Sequence, residues 1–131
     1  MKSLVVDDDL TSRLILEGIL TELGEVQTAA DGNEAVQAVM KALNAKKPFD
    51  LICIDLLMPV MSGLEAIQLI RLQEEGRQCS RSASIVVITS SEDTGSIDAA
   101  FRQLVNAYIV KPVDAEALLS VVGCLCEAEG G

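Results

Sequence analysis

The chain contains no histidine and no tryptophan, and only one tyrosine and two phenylalanines occur among its 131 residues. Without histidine, catalytic triads that use an imidazole, histidine metal sites and a phosphohistidine step within this chain are excluded. With so few aromatic rings, there is no platform on which the bases of a single-stranded nucleic acid could stack. Any chemistry of this chain therefore depends on other side chains.

Basic residues are also scarce, because 10 Lys and Arg face 20 Asp and Glu, which gives a formal net charge of −10. Nucleic acid backbones are bound by clustered Lys and Arg, so this balance argues against nucleic acid as a direct partner. The negative charge suits a divalent cation, or a partner protein with a basic surface.

No apolar run approaches the roughly 20 residues that a bilayer-spanning helix needs. Met1-Lys2-Ser3 leads straight into a predicted strand, without the pattern of a signal peptide. The sequence therefore predicts a cytoplasmic protein that makes no use of a membrane.

The four cysteines, Cys53, Cys79, Cys124 and Cys126, include no C-x-x-C pair. A reducing compartment keeps such residues as thiols. Cys53 is predicted to be a small core residue, and Cys124 and Cys126 lack a further soft ligand nearby for a metal.

Half of the residues are apolar and 23% are charged, which is typical of a globular protein. The length predicts a single domain over residues 1–131, with a core from about 3 to 127. Five short apolar segments are predicted strands: Ser3–Val6, Val26–Ala30, Leu51–Ile54, Ile85–Ile88 and Ala107–Val110.

A predicted helix follows each strand. The first helix is predicted to be capped by Thr11 or Ser12 and to end at Gly24. Its apolar residues repeat with helical spacing: Leu14, Ile15, Ile19, Leu20 and Leu23.

The later helices have their own start signals, with caps predicted at Asp31, Ser62 and Asp114. The fourth helix, over Glu92 to Leu104, has a weaker pattern, and Arg77 to Ser84 is predicted to be a solvated loop. The third helix carries four apolar residues: Leu64, Ile67, Leu69 and Ile70.

Alternating strands and helices predict an α/β fold, with a five-stranded parallel sheet covered by helices on both faces. The flavodoxin-like strand order 2-1-3-4-5 is the common solution for five strands. The segment around Asp55 is central to this prediction, because a continuous apolar strand ends on that carboxylate. Pro59 and Gly63 then stop both strand and helix from continuing.

In such a sheet, all strands end at the same edge, and the residues that follow them carry chemistry. They are Asp7 and Asp8, Asp55, Thr89 and Lys111. Three neighbouring carboxylates need a compensating cation, and Mg²⁺ suits a site with few carboxylates. A carboxylate nucleophile, a metal, a cation and a hydroxyl are the parts needed to move a phosphoryl group. Taken singly, the aspartates could be helix-capping or turn residues, Thr89 could be a strand-end residue, and Lys111 could be a solvated lysine.

The whole chain resembles a receiver domain of bacterial two-component response regulators, similar to the stand-alone chemotaxis regulator. The resemblance rests on Val5-Val6-Asp7-Asp8, on Asp55-x-x-Met-Pro-x-Met-x-Gly63, on Thr89 and on Tyr108-x-x-Lys111-Pro112. The second of these motifs is highly specific, and the others follow it in the expected order and spacing.

The resemblance implies that Asp55 accepts a phosphoryl group from the phosphohistidine of a histidine kinase or a histidine phosphotransfer protein. Asp8 and Asp55 would bind Mg²⁺, or Mn²⁺, directly together with the backbone carbonyl of Leu57, while Asp7 would act through water. Lys111 would hold Asp55 and then the phosphoryl group. No turnover of a separate substrate is expected.

The resemblance also implies a switch. The Thr89 hydroxyl would move toward the phosphoryl group, the Tyr108 ring would turn inward, and the Lys111–Pro112 peptide bond would be cis. The face formed by the fourth helix, the fifth strand and the fifth helix would then change, and a downstream protein would bind there. Dimerisation of the phosphorylated form is left open.

Two other interpretations remain at this stage. Asp7-Asp8-Asp9-Leu10-Thr11 fits the D-x-D-x-T motif of haloacid-dehalogenase phosphatases, whose first Asp is the nucleophile. The chain is short for that family, and the interpretation leaves the Asp55 motif unexplained. A receiver-like module that binds protein without being phosphorylated is the other alternative.

Overall fold

The computed structural model describes residues 1–56, 61–77, 82–89 and 103–130. The strands form one parallel sheet in the order β2-β1-β3-β4-β5. They are β1 (Lys2–Val6), β2 (Glu25–Ala29), β3 (Leu51–Asp55), β4 (Ser84–Thr89) and β5 (Ala107–Val110). The helices are α1 (Leu10–Thr21), α2 (Gly32–Asn44), α3 (Gly63–Gly76) and α4 (Ala115–Gly130). The predicted fold class and strand order are confirmed.

The predicted fourth helix, over Glu92 to Leu104, lies almost wholly outside the described residues, so α4 corresponds to the fifth predicted helix. Among the described residues, no helix combines the length and the apolar character needed to pass through a bilayer.

The core lies on both faces of the sheet. Every residue of β3 and β4 is buried, as expected of central parallel strands, whereas most of β2 is exposed at the edge. Ile52 and Ile54 face α2 and α3, and Leu51 and Cys53 face α1 and α4. The alternation of these side chains follows from the two-residue period of a strand, and it confirms Cys53 as a core residue.

The start of α1 differs from the prediction, because Asp9 rather than Thr11 or Ser12 is the N-cap. The Asp9 carboxylate accepts hydrogen bonds from the Ser12 backbone N–H (3.0 Å) and the Ser12 hydroxyl (2.8 Å). Ser12 therefore donates to the cap instead of providing it. The helix ends at Thr21, and Gly24 follows with a φ of +148°. That backbone conformation favours glycine, and a Cβ there would also collide with the Met1 carbonyl oxygen.

The apolar face predicted for α1 is wrong in part. Leu16 and Leu20 point into the core, whereas Leu14 and Ile15 are 56% and 52% exposed. Ile15 and Ile19 lie along one line of the helix surface, and Leu16 and Leu20 lie along the neighbouring line. Both pairs have the spacing i, i+4, so the sequence pattern alone does not show which pair is buried. Packing against the sheet selects the second line.

The same limit applies to α3, where Ile67 and Ile70 are fully buried but Leu64 and Leu69 are exposed. The predicted caps are confirmed. Asp31, Ser62 and Asp114 each accept a hydrogen bond from the backbone N–H three residues later: Glu34, Glu65 and Ala117.

A polar network joins α3 to the amino ends of β4 and β5. Arg71 donates from Nη1 to Glu74 Oε1 (2.7 Å) and to the Ala83 carbonyl (2.9 Å). Its Nε donates to the Leu104 carbonyl (2.8 Å), and its Nη2 donates to Asn106 Oδ1 (3.2 Å). Glu74 is buried and accepts from the Ala83 N–H at 2.8 Å, so its charge is paired and hydrogen-bonded.

The prediction of a solvated loop from Arg77 to Ser84 is wrong at its carboxyl end. Ala83 and Ser84 are buried, and the Ser84 N–H donates to the Asp50 carbonyl at 2.9 Å. Ser84 is thus the first residue of β4 rather than part of a solvated loop. Residues 78–81 lie outside the described part of the chain.

Candidate acidic site at the carboxyl edge of the sheet

Three carboxylates meet at the carboxyl edge of the sheet. Asp7 follows β1, Asp8 begins the turn into α1, and Asp55 is the last residue of β3. One oxygen atom from each lies within 4.8 Å of the other two. Asp7 and Asp55 are buried and Asp8 is exposed, so the cluster opens to solvent on the side of Asp8.

Lys111, the residue after β5, contacts two of the three carboxylates. Its Nζ lies 3.0 Å from Asp55 Oδ2 and 3.3 Å from Asp7 Oδ2, and its side chain is 31% exposed. The Lys111 N–H donates to the Thr89 carbonyl at 2.8 Å, and the Lys111–Pro112 peptide bond is cis, as predicted. Burial acts to lower the pKa of Lys111. The hydrogen bond and charge of Asp55, followed by the charge of Asp7, outweigh that effect and raise the pKa.

Burial dominates the electrostatics of Asp7 and raises the pKa of its carboxyl. The Asp9 N–H, which donates to Asp7 Oδ1 at 2.9 Å, and the Lys111 charge oppose the shift, while the Asp55 charge adds to it. A cation beside the three carboxylates would relieve this cost. Carboxylate oxygens in an open cluster are the donors that Mg²⁺ prefers, so these residues fit that ion.

The first turn of α1 contains a residue whose contact with the site the sequence analysis missed. Arg13, in the first turn of α1, donates from Nη1 to the backbone carbonyl of Asp7 at 2.8 Å. An arginine one turn after an acidic pair is the only sequence signal, and it does not reveal a contact with a backbone atom.

The first residue of α3 packs tightly against the end of β3. The Gly63 N–H donates to the Leu56 carbonyl at 2.9 Å, and a Cβ on Gly63 would lie 2.3 Å from the Asp55 carbonyl oxygen. Only glycine allows this approach, so Gly63 fixes the chain beside Asp55. Leu57, whose carbonyl was predicted to bind metal, lies outside the described residues together with Pro59.

Thr89 and Tyr108 lie on neighbouring strands. Thr89 is buried at the end of β4 opposite Val110, and Tyr108 of β5 lies opposite Val87. Since side chains alternate along a strand, the side chains of Thr89 and Tyr108 project from the same face of the sheet. Tyr108 is half-buried and packs against the core on that face.

Fold and site together define a class of protein: a doubly wound parallel sheet whose acidic cluster and lysine meet at the carboxyl edge. The chain belongs to the response regulator receiver domain family, whose sequence model matches residues 3–123. It is a phosphoacceptor receiver of the CheY-like type, and receiver domains are generally signalling domains rather than enzymes. The match along the chain does not support the phosphatase interpretation.

Individual relatives agree with this assignment. The chain is 35% identical over 120 residues to chemotaxis protein CheY-3 of Vibrio cholerae, covering 90% of this chain and 85% of that protein. It is similar to response regulator TrrA of Thermotoga maritima, solved in complex with Mg²⁺-BeF (TM-score 0.74, 29% identity, 95% and 97% coverage). It is also similar to the receiver domain of Ssk1 of Saccharomyces cerevisiae, co-crystallised with the histidine phosphotransfer protein Ypd1 (TM-score 0.74, 30% identity, 90% and 83% coverage).

Proposed function

We propose that Asp55 is the phosphoacceptor, in a Mg²⁺-dependent transfer from the phosphohistidine of a histidine kinase or a histidine phosphotransfer protein. The observation that carries this proposal is the position of Lys111 Nζ, which contacts both Asp55 and Asp7 inside the cluster of three carboxylates. A cation held there can pair first with the carboxylate and then with the incoming phosphoryl oxygens.

The exposure of the two side chains favours Asp55 over Asp7 as the nucleophile. Asp7 Oδ1 accepts from the Asp9 N–H, Oδ2 faces Lys111, and the side chain is only 1% exposed. The Asp55 side chain is 10% exposed, at the end of the central strand β3. Attack by an Asp55 oxygen on phosphorus forms a P–O bond while the P–N bond to the donor imidazole breaks, and the electron pair stays on that nitrogen.

Asp8 and Asp55 are the proposed direct ligands of Mg²⁺ or Mn²⁺, with the Leu57 carbonyl, and Asp7 is proposed to act through water. When bound, the ion neutralises the charges of the carboxylates and of the phosphoryl group. The Mg²⁺-BeF complex of TrrA supports this assignment.

The proposed donor is supported by the Ssk1 receiver domain, which was crystallised with a histidine phosphotransfer protein. Thr89 and Tyr108 are proposed to carry the switch, and a downstream protein is proposed to bind the face of the predicted fourth helix, β5 and α4. A cytoplasmic location belongs to the same proposal.

Intact mass after incubation with a small phosphodonor tests the acceptor. We expect native protein to gain one phosphoryl group in the presence of Mg²⁺ and none in the presence of a chelator. Asp55→Asn should gain none, because an amide oxygen is a far weaker nucleophile than a carboxylate. Asp50→Asn, at the opposite edge of the sheet, is the matched control and should behave as the native protein.

An adduct that survives in Asp55→Asn and is lost in Asp7→Asn would favour the phosphatase interpretation instead. No adduct in any of the proteins would indicate a module that binds protein without phosphorylation.

A further inference from the structure

We propose that Arg13 is a positioning residue for the metal ligand Asp8, because its guanidinium holds the peptide group between Asp7 and Asp8. Arg13 would thereby set the affinity of the acidic site for Mg²⁺. This inference rests on the proposed function, in which Asp8 binds the ion.

Arg13 is itself fixed at its backbone. Its N–H donates to the Asp9 carbonyl at 3.0 Å in the first turn of α1, and its Nη1 reaches back to the Asp7 carbonyl at 2.8 Å. The side chain is half-buried, so this charge-assisted hydrogen bond is partly shielded from water. On the other side, the Asp7 N–H donates to the Ala29 carbonyl at 3.2 Å. The peptide groups before and after Asp7 are therefore each held by a hydrogen bond.

The geometry of a peptide bond carries this restraint to Asp8. The carbonyl of Asp7 and the nitrogen and Cα of Asp8 lie in one plane, so a restrained carbonyl restrains the origin of the Asp8 side chain. The side chains of Asp7 and Asp55 are held by Lys111, whereas within the described part of the chain no hydrogen bond to the Asp8 carboxylate is found. The position of Asp8 therefore depends on its backbone.

Arg13 also brings a positive charge to the proposed cation site. The two possible roles of Arg13 therefore predict opposite changes in Mg²⁺ affinity when it is removed. If Arg13 acted only as a charge, its removal would strengthen Mg²⁺ binding, because like charges repel. If it positions Asp8, its removal weakens Mg²⁺ binding, as the loss of residues that orient metal ligands generally does.

Isothermal titration calorimetry of the full chain with MgCl₂ measures the effect on Kd. We expect Arg13→Met to bind Mg²⁺ roughly 10-fold more weakly than native protein. Lys41→Met, which removes an exposed charge on α2, is the matched control and should stay within about twofold, because salt screens a distant surface charge. Arg13→Gln removes the same charge with a polar side chain and should shift Kd in the same direction as Arg13→Met.

A Kd in Arg13→Met and Arg13→Gln that equals the native value, or is tighter, would overturn the inference. Circular dichroism melts without metal establish that each variant is folded at the titration temperature, so that a change in Kd reports on the site and not on folding.

Asp8→Asn separates this inference from the proposed function. If native protein does not bind Mg²⁺, or Asp8→Asn binds it as tightly, the proposed metal site fails, and the role of Arg13 fails with it. If binding depends on Asp8 but not on Arg13, only the positioning role is wrong.

Discussion

At the residue scale, the acidic edge combines carboxylates whose environments differ although the sequence places them side by side. Asp7 is buried, and burial raises the pKa of its carboxyl. Asp9 is exposed and caps α1, and its hydrogen bonds with Ser12 lower the pKa of its carboxyl. Two aspartates separated by one residue thus have opposite effects on the stability of the chain.

Asp7→Asn should stabilise the metal-free protein at pH 7. Between the ordinary pKa of 3.8 and the raised folded value, the native state binds more protons than the unfolded state, so stability falls as pH rises through this window. The amide removes that cost, so a gain in the free energy of unfolding is expected at pH 7. Below the ordinary pKa both states are protonated, and the gain should disappear. Urea unfolding with a chelator at pH 7 and pH 3 measures both values.

Asp9→Asn is the control for this prediction, because asparagine still caps the helix but carries no charge. Its lowered pKa stabilises the folded state above the ordinary value and loses that effect as pH falls, so the variant should not gain stability at pH 7. A loss of stability in Asp7→Asn at pH 7 would contradict the assigned cost of burying that carboxylate.

The residues of the site also differ in whether the sequence alone could predict their contacts. Asp7, Asp8, Asp55, Thr89 and Lys111 were predictable as neighbours because each follows a strand, and parallel strands bring their carboxyl ends to one edge. The contact of Arg13 with the Asp7 carbonyl was not predictable. That contact depends on how far the arginine side chain turns back toward the start of its own helix.

At the scale of elements, the strands were predictable within about one residue, because short segments rich in β-branched residues and bounded by turn residues favour strands over helices. The buried faces of α1 and α3 were not. Two adjacent lines along each helix carry leucine and isoleucine at helical spacing, and only docking on the sheet decides which line is buried.

Leu16→Ala and Leu14→Ala form a matched pair that tests the orientation of α1. Leu16 is 2% exposed, and its truncation should cost about 2–5 kcal/mol of unfolding free energy. Leu14 is 56% exposed, and the same change there should stay within about 0.5 kcal/mol. Urea denaturation of the two variants gives the comparison. Equal costs at both positions would show that α1 packs along a different line.

At the scale of the whole molecule, the proposed switch would couple the acidic edge to β5. Tyr108 is the only tyrosine of a chain without tryptophan, so its fluorescence reports on one position. Thr89 and Tyr108 project from the same face of the sheet, which makes a coupled movement geometrically feasible.

Phosphorylation in the presence of Mg²⁺ should therefore change the fluorescence of Tyr108. Thr89→Val removes the hydroxyl at nearly the same volume and should reduce the change by half or more, whereas Thr89→Ser keeps the hydroxyl and should retain most of it. Steady-state emission of the three phosphorylated proteins makes the comparison. If Thr89→Val responds as strongly as native protein, Thr89 does not transmit the signal.

The network of Arg71 and Glu74 has a consequence for how this molecule can change. β4 runs from Ser84 beside the network to Thr89 beside the acidic site, and at 3.3 Å per residue the two ends are about 17 Å apart. Substitutions farther apart than 7–10 Å generally contribute independently to the free energy. The amino edge of the sheet is thus a place where the stability of the fold can adapt to temperature or salt independently of substitutions at the acidic site.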